Sequence, residues 1–379
     1  MFTQLDVEKL GRFRPGHCLA TTLYLPLDAG RPARFPVLAR DLIRQAERSL
    51  DEALGRGRPA HDVLLSARED LARLGRHLDG LNRRQHAPGL AAFSCAAEDY
   101  WQAINVPVPP PARLLQEATF YVRPLAGLLD EYRPILLALV DRRRARLFNL
   151  RLAQVTERSV PPDDVPGKVR EGGWQGYAES SIRGHIEEHV HRHFERVAAR
   201  MLDIFREDGF EWLVVGGPEP TLPDFIDTLH PYLRERLRAT LTLETWAPDA
   251  EVAEVGRQVE RRIKAERDAE LLRQVKEGLF PGGWAVSGPS DTLQLVPGGQ
   301  VRTLLMRPGF SRQGVWCPRC RLLLPDVSQC PQGCRDSVES RDVIDEAVWI
   351  AFEEGAEVAH VESPEMEELG NIAALLRYG

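Results

Sequence analysis

Four cysteines stand as Cys317-Pro318-Arg319-Cys320 and Cys330-Pro331-Gln332-Gly333-Cys334, a C-x2-C-x9-C-x3-C spacing. Two short knuckles, each holding a proline and the second a glycine, suit tetrahedral thiolate ligation of zinc. Sulfur fills all four positions and leaves none for water, so the expected role is a structural zinc stapling a loop over about 315–336. The competing reading is four free thiols. A second stretch, Lys168–Phe194, reads KVREGGWQGYAESSIRGHIEEHVHRHF. Gly172 and Gly173 let the backbone approach a partner closely. Trp174 and Gln175 follow at once, and the loop runs into a helix start, a place that favours anions. Within it His185, Glu188 and His189 fit an H-x-x-E-H zinc-hydrolase pattern that His193 continues. The same residues also read as an amphipathic helix. Its apolar face would use Ile186, Val190, Phe194, Val197 and Met201, with the histidines on a polar flank. A third group is basic. Arg142, Arg143 and Arg144, with Arg146 and Arg151, make a turn between two strands. Lys168, Arg170, Arg183 and Arg192 lie in or after the glycine loop. Together they form a candidate phosphate-binding surface, or else a solvated hairpin. No P-loop, GxSxG or GxGxxG occurs, so nucleotide hydrolysis and triad chemistry lack support.

The chain of 379 residues exceeds one ordinary core, and about two or three domains are expected. A net charge of −7 argues against non-specific nucleic-acid binding by the whole molecule and leaves room for a local basic surface. The start, MFTQLDVEKLGRFRPG, lacks the apolar core of a signal peptide. No apolar run approaches the roughly 18 residues of a membrane span. With four clustered cysteines, a reducing cytoplasm is expected and a membrane is not.

Patterning places these groups on three α/β regions. In residues 1–131, His17–Leu27 and Gly89–Ala97 read as strands and Val37–Leu54 and Asp62–Leu81 as helices. Asn105–Pro111 reads as a proline-rich link, and Thr119–Leu129 as a short strand and helix. Cys18 and Cys95 read as buried small hydrophobes. In residues 132–248, Ile135–Val140, Arg146–Arg151, Ala153–Val160, Trp212–Gly216 and Thr240–Trp246 read as strands. Ser180–Asp208 and Phe225–Leu237 read as helices. Strands first, then alternation with helices, predicts a mixed sheet covered by helices. In residues 249–379, a charged helix Glu251–Leu279 precedes strands at Arg302–Met306, Glu357–Val361 and Ile372–Tyr378 and a helix at Val343–Glu354. Asp336–Asn371 carries twelve acids against one base, which suits no direct phosphate contact.

Read together, these features resemble the archaeo-eukaryotic class-1 peptide chain release factor family, with Pelota, and more narrowly its bacterial-archaeal branch with a Gly-Gly-Trp loop. Tyr132–Arg151, YRPILLALVDRRRARLFNLR, looks like the start of the family's middle domain. Gly172–Gly173, then Arg183 and Glu187–Glu188, is similar to its Gly-Gly-Gln loop and following helix. GAEVAHVES and GNIAALLRY resemble the C-terminal ending, and a cysteine-knuckle insertion there resembles archaeal members. The resemblance covers most of residues 15–379 and is loosest in the first domain. It implies an RNase H-like middle domain and a C-terminal α/β/α fold like kink-turn-binding ribosomal proteins. It implies ribosome, tRNA and rRNA as partners, with a translational GTPase alongside. It also implies peptidyl-tRNA ester hydrolysis with Gly172, Gly173, Trp174 and Gln175 at the tip and Arg142, Arg143, Arg144, Lys168, Arg170 and Arg183 on RNA.

Two departures shape the expected function. Trp174 stands where the family's catalytic form has glutamine. The first domain lacks the Asn-Ile-Lys-Ser and Tyr-x-Cys-x-x-x-Phe codon-reading motifs, its inter-helix turn being GRGRPAHDV. The expectation is a release-factor paralogue acting in termination or ribosome rescue without reading stop codons. The alternatives are a non-catalytic Pelota-like ribosome or RNA-binding factor, in which Trp174 stacks on a base, and a zinc metallohydrolase at His185 and His189.

Overall fold

The computed structural model describes residues 4–27, 35–55, 60–81, 87–152, 154–158, 177–327, 329–334, 337–340 and 342–378. They pack as two units, one built from residues 1–131 with 268–379 and the other from 132–267.

The first unit begins with α1 (Gln4–Arg12), β1 (Ala20–Pro26), α2 (Phe35–Gly55), α3 (His61–Gly80), β2 (Gly89–Cys95), β3 (Tyr100–Val106), β4 (Arg113–Glu117) and α4 (Arg123–Glu131). The four strands form an antiparallel sheet in the order β3-β2-β1-β4. Leu64, Leu71, Leu74 and Leu78 of α3 pack on Leu23, Leu25, Leu90 and Ala92. Asp70 is buried on that helix because Thr21 and Ser94 donate their hydroxyls to it at 2.9 and 2.6 Å and the Ala96 amide donates at 2.7 Å. Three donors satisfy a carboxylate that would otherwise be costly to bury. The expected linker Asn105–Pro111 is partly strand, since β3 runs through Val106. Of the strand and helix expected at 119–129, only α4 forms, and it starts at Arg123.

The second unit carries β5 (Ile135–Val140), β6 (Ala145–Arg151), β7 (Gln154–Arg158), α5 (Tyr177–Glu207), β8 (Trp212–Gly217), α6 (Leu222–Thr228), α7 (Pro231–Arg234) and β9 (Leu237–Thr242). A long α8 (Asp249–Gly278) begins here, and its last turns belong to the first unit. The sheet order is β7-β6-β5-β8-β9, antiparallel on the β6 side of β5 and parallel on the β8 side. β5 is apolar throughout because both its faces are covered. Leu136, Ala138 and Val140 meet the α5 residues Phe194, Val197 and Met201, while Ile135, Leu137 and Leu139 meet Val252, Val259 and Ile263 of α8. Gly217 has to be glycine, since a Cβ there would lie 2.2 Å from the Val140 carbonyl oxygen. The single helix expected over Phe225–Leu237 is two short ones, α6 and α7, broken before Pro231. Proline disfavours helical geometry in the residue ahead of it, here His230.

The first unit resumes with β10 (Ala285–Ser287), α9 (Pro289–Leu295), β11 (Val301–Met306), β12 (Gly314–Cys317), β13 (Leu322–Pro325), β14 (Val338–Ser340), α10 (Val343–Glu353), β15 (Glu357–His360), α11 (Glu365–Glu368) and β16 (Ile372–Leu376). One sheet has the order β10-β16-β11-β15, with β16 between two partners, and a small one the order β13-β12-β14. The cysteine-bearing hairpin β12–β13 packs into this unit. Val315 and Leu323 are buried, β13 packs on α9, and Arg321 donates to the Pro297 carbonyl at 2.6 and 2.9 Å.

The early and late parts of this unit are joined along a seam. Arg123 is 5% exposed. Its guanidinium donates to Asp342 at 3.0 Å, to Asp345 at 3.4 Å and to the Phe310 carbonyl. The His360 amide donates to Asp130 at 2.7 Å. The Arg14 guanidinium lies 3.9 Å from the Trp349 ring centre, and the same indole leaves no room for a side chain at Gly11. Among the described residues no helix is long and apolar enough to cross a membrane.

Candidate RNA-facing turn and metal centre

The turn between β5 and β6 is built by Asp141. Its Oδ1 accepts the amides of Arg143 and Arg144 at 2.7 and 2.8 Å, its own amide donates to the Arg144 carbonyl at 2.9 Å, and the Thr245 hydroxyl donates to its Oδ2. An aspartate that bonds the backbone two and three residues on closes a tight turn without glycine. The turn holds Arg142, Arg143 and Arg144 exposed in sequence. Arg146 and Arg151 do not join them. Arg146 pairs with Glu157 at 2.7 Å and Asp249 at 2.6 Å, and Glu157 above all keeps its guanidinium charged. Arg151 donates to the Asp208 carbonyl and lies over Phe210, where burial lowers its pKa. Both are consumed in packing, so the candidate phosphate surface of this hairpin reduces to three arginines.

Gly172, Gly173, Trp174 and Gln175, with Lys168 and Arg170, lie outside the described residues, between β7 and α5. Arg183 falls in the first turns of α5. Further along that helix, His189 is exposed, and Glu188 pairs with Arg192. His193 is 1% exposed and packs beside Phe194, so it belongs to the buried face and not to the polar flank where the sequence put it. A helix stripe at 190, 193, 194, 197 and 201 follows the i, i+3, i+4 pattern of a core-facing surface. Among the described residues, the one group whose ligand atoms converge as a metal site would require is not on α5.

That group is Cys317, Cys320, Cys330 and Cys334, whose sulfurs all lie within 4.8 Å of one another. Cys320 Sγ is 3.3 Å from Cys334 Sγ and 3.8 Å from Cys330 Sγ. Four sulfurs at about 2.3 Å from one tetrahedral ion stand about 3.8 Å apart, so the quartet fits a metal. Cys317 ends β12 and is buried. Arg321, one residue past Cys320, turns the chain with a φ of 49°, and Gly333 does the same before Cys334 with a φ of 66°. Proton sharing with Cys334 pushes Cys320 up to about 12, whereas backbone donation from Gln332 pulls Cys330 down to about 7. Crowded thiols that hinder each other's ionisation are relieved by a cation at their centre.

Comparison with known proteins places this geometry. Residues 121–261 match the profile of Bacterial archaeo-eukaryotic release factor family 10, a span that holds the basic turn, the glycine loop and α5. The chain is 28% identical over 311 residues to a peptide chain release factor subunit 1 of Thermococcus sibiricus, covering 73% of this chain and 74% of that protein. To the protein of the same name from Archaeoglobus fulgidus it is 25% identical over 286 residues, covering 69% and 70%. Among solved structures, an archaeal translation termination factor, aRF1, aligns over 100% of this chain and 99% of its own at 18% identity and a TM-score of 0.27. Archaeoglobus fulgidus Pelota aligns over 77% and 79% at 18% identity and a TM-score of 0.32. The profile match, which spans most of the unit that presents the arginine turn, and the sequence relatives support a release factor/Pelota-like family.

Proposed function

We propose that the protein is a ribosome-associated release-factor paralogue that acts on peptidyl-tRNA in termination or rescue and does not read stop codons. The observation that carries this is the 28% identity to an archaeal release factor subunit over 73% of the chain. In this reading residues 1–131, 132–248 and 249–379 are the three working domains, the middle one RNase H-like and the last like kink-turn-binding ribosomal proteins. Arg142, Arg143, Arg144, Lys168, Arg170 and Arg183 meet RNA phosphate, and the cysteine quartet holds one structural zinc. Gly172–Gln175 is the tip. Ester hydrolysis needs a placed water and a donor to the developing oxyanion. A backbone amide in a glycine-paired loop supplies the donor whatever side chain follows, and Gln175 orients the water. Exposed Phe280 and Trp284, stacked edge to face at 5.3 Å, suit a protein partner such as a translational GTPase.

Gly173→Ala is expected to lower peptide release from stalled ribosomes by about tenfold or more with co-sedimentation unchanged, because a displaced donor costs transition-state stabilisation alone. Trp174 favours a second reading, a non-catalytic Pelota-like factor. Ribosome binding with no release from the wild-type protein selects it and rejects the first. Replacing Arg142, Arg143 and Arg144 together by alanine is expected to weaken ribosome co-sedimentation. It also flattens the slope of log affinity against log salt by about 2, at roughly 0.7–0.9 per phosphate contact. An unchanged slope removes this turn from the RNA surface.

A further inference from the structure

A cleft of about 760 Å³ opens in the second unit between α5 and α6. Arg142, just past β5, and Thr221, just past β8, both line it. It therefore sits off the carboxyl ends of two neighbouring parallel strands, at the strand where the sheet changes from antiparallel to parallel pairing. Open α/β sheets bind ligands off the carboxyl ends of their strands, and the volume is that of a small-molecule site. Phe194, 2% exposed, gives the cleft an apolar floor.

Carboxylates outnumber cations in the lining, with Glu195 also present but paired to His191 at 3.3 Å and Arg142 at one end. Glu187, Asp224 and Asp227 border the cleft, and none has an ion-pair partner among the described residues. Thr221 is 7% exposed, and its hydroxyl, which does not cap α6, has no hydrogen-bond partner among them either. A hydroxyl on a mostly buried residue that lines the cleft and has no partner there is open to a ligand donor. These carboxylates do not converge closely enough to chelate a single ion, the cysteines being the one group among the described residues that does. Charges spread along an apolar floor match a cation that is itself spread out, with ammonium groups separated by methylenes.

We propose that this cleft binds an aliphatic polyamine. The ammonium groups lie against Glu187, Asp224 and Asp227, one of them donates to the Thr221 hydroxyl, and the methylenes cover Phe194. Arg142 closes one end by repulsion. The test is calorimetric titration of the full chain with spermidine at physiological salt. One saturable site is expected. Asp224→Asn with Asp227→Asn weakens it by about tenfold or more, since each charge-assisted bond is worth about 1.4 kcal/mol or more. Thr221→Val weakens it by a smaller factor. Glu47→Gln with Glu52→Gln, exposed on α2, leaves it unchanged. The Asp224 and Asp227 side chains are exposed, so an unchanged melting midpoint separates lost binding from lost folding. Absence of saturable binding, equal weakening by the α2 pair, or full competition by magnesium at matched ionic strength overturns the proposal. A lysine-rich peptide that binds more tightly than spermidine and responds to the same variants overturns it too, in favour of a protein partner.

Discussion

Arg123→Met is expected to destabilise the unit formed by residues 1–131 and 268–379 by about 3–5 kcal/mol, read as faster amide exchange in β1 and β15 together. The size follows from what is left behind. Arg123 is buried and is the cation shared by Asp342 and Asp345. Removing it strands two carboxylates beside each other. Burial already holds Asp345 well above the usual carboxylate range, and Asp342 adds to this, with Arg123 opposing. The sign of the pH dependence is set by that direction. A carboxyl whose folded pKa is raised keeps its proton after the unfolded chain has lost one. Its contribution is intact below the unfolded value of about 4 and falls as pH rises toward the folded value. In the variant the folded value rises further. The part of its deficit that comes from Asp345 is therefore smallest below the wild-type folded value and grows as pH rises through and above that value. Asp345→Asn, which mimics the protonated form, is expected to cost under about 1 kcal/mol at neutral pH. A deficit that is flat with pH, or an Asp345→Asn loss as large as that of Arg123→Met, would refute this account.

Cys317→Ser is expected to remove one equivalent of bound zinc per chain by elemental analysis and to expose the β12–β13 amides to exchange, while His189→Ala removes none. Structural zinc contributes about 10–16 kcal/mol in small zinc-finger peptides, so a lost ligand is felt locally and strongly. The damage spreads inward because Val315 and Leu323 carry this hairpin into the core and Arg321 ties it to Pro297. A chelator is expected to give the same exchange pattern in the wild type. Metal content unaltered by Cys317→Ser, or halved by His189→Ala, would move the metal off the cysteines.

Much of the fold can be read from local patterns, and the limits of that reading are physical. Ile135–Val140 and Trp212–Gly217 announce themselves because a strand covered on both faces has no polar positions. The half-exposed β3 and β4 do not, since edge and partly solvated strands mix residue types and β3 leads into a proline run. His193 was misassigned because histidine counts as polar, although its place in the 190–201 stripe marks it as buried. The cysteine spacing is local chemistry, and it was legible that these four sulfurs come together in a group that could hold a metal. The joining of the first 131 residues to the last 112 was not, because Arg123 meets its acids 219 and 222 positions later. The lone buried arginine gives no sequence sign of where its partners lie. Nor does the cleft beside α6, whose lining comes from three separate elements.

The central place of β16 between β10 and β11 has a consequence for synthesis. Chains emerge amino end first, and domains generally fold as units while they do so. Here β10, β11 and β15 are all translated before the strand that fits between two of them, so the sheet waits with a gap in its middle. The exposed edges of β10 and β11 are unpaired for that interval, the condition in which strands pair with a neighbouring chain instead. A ribosome that stalls after β15 and before Ile372 thus leaves a nascent product that cannot close, and the protein's own assembly depends on the codons of β16 being read.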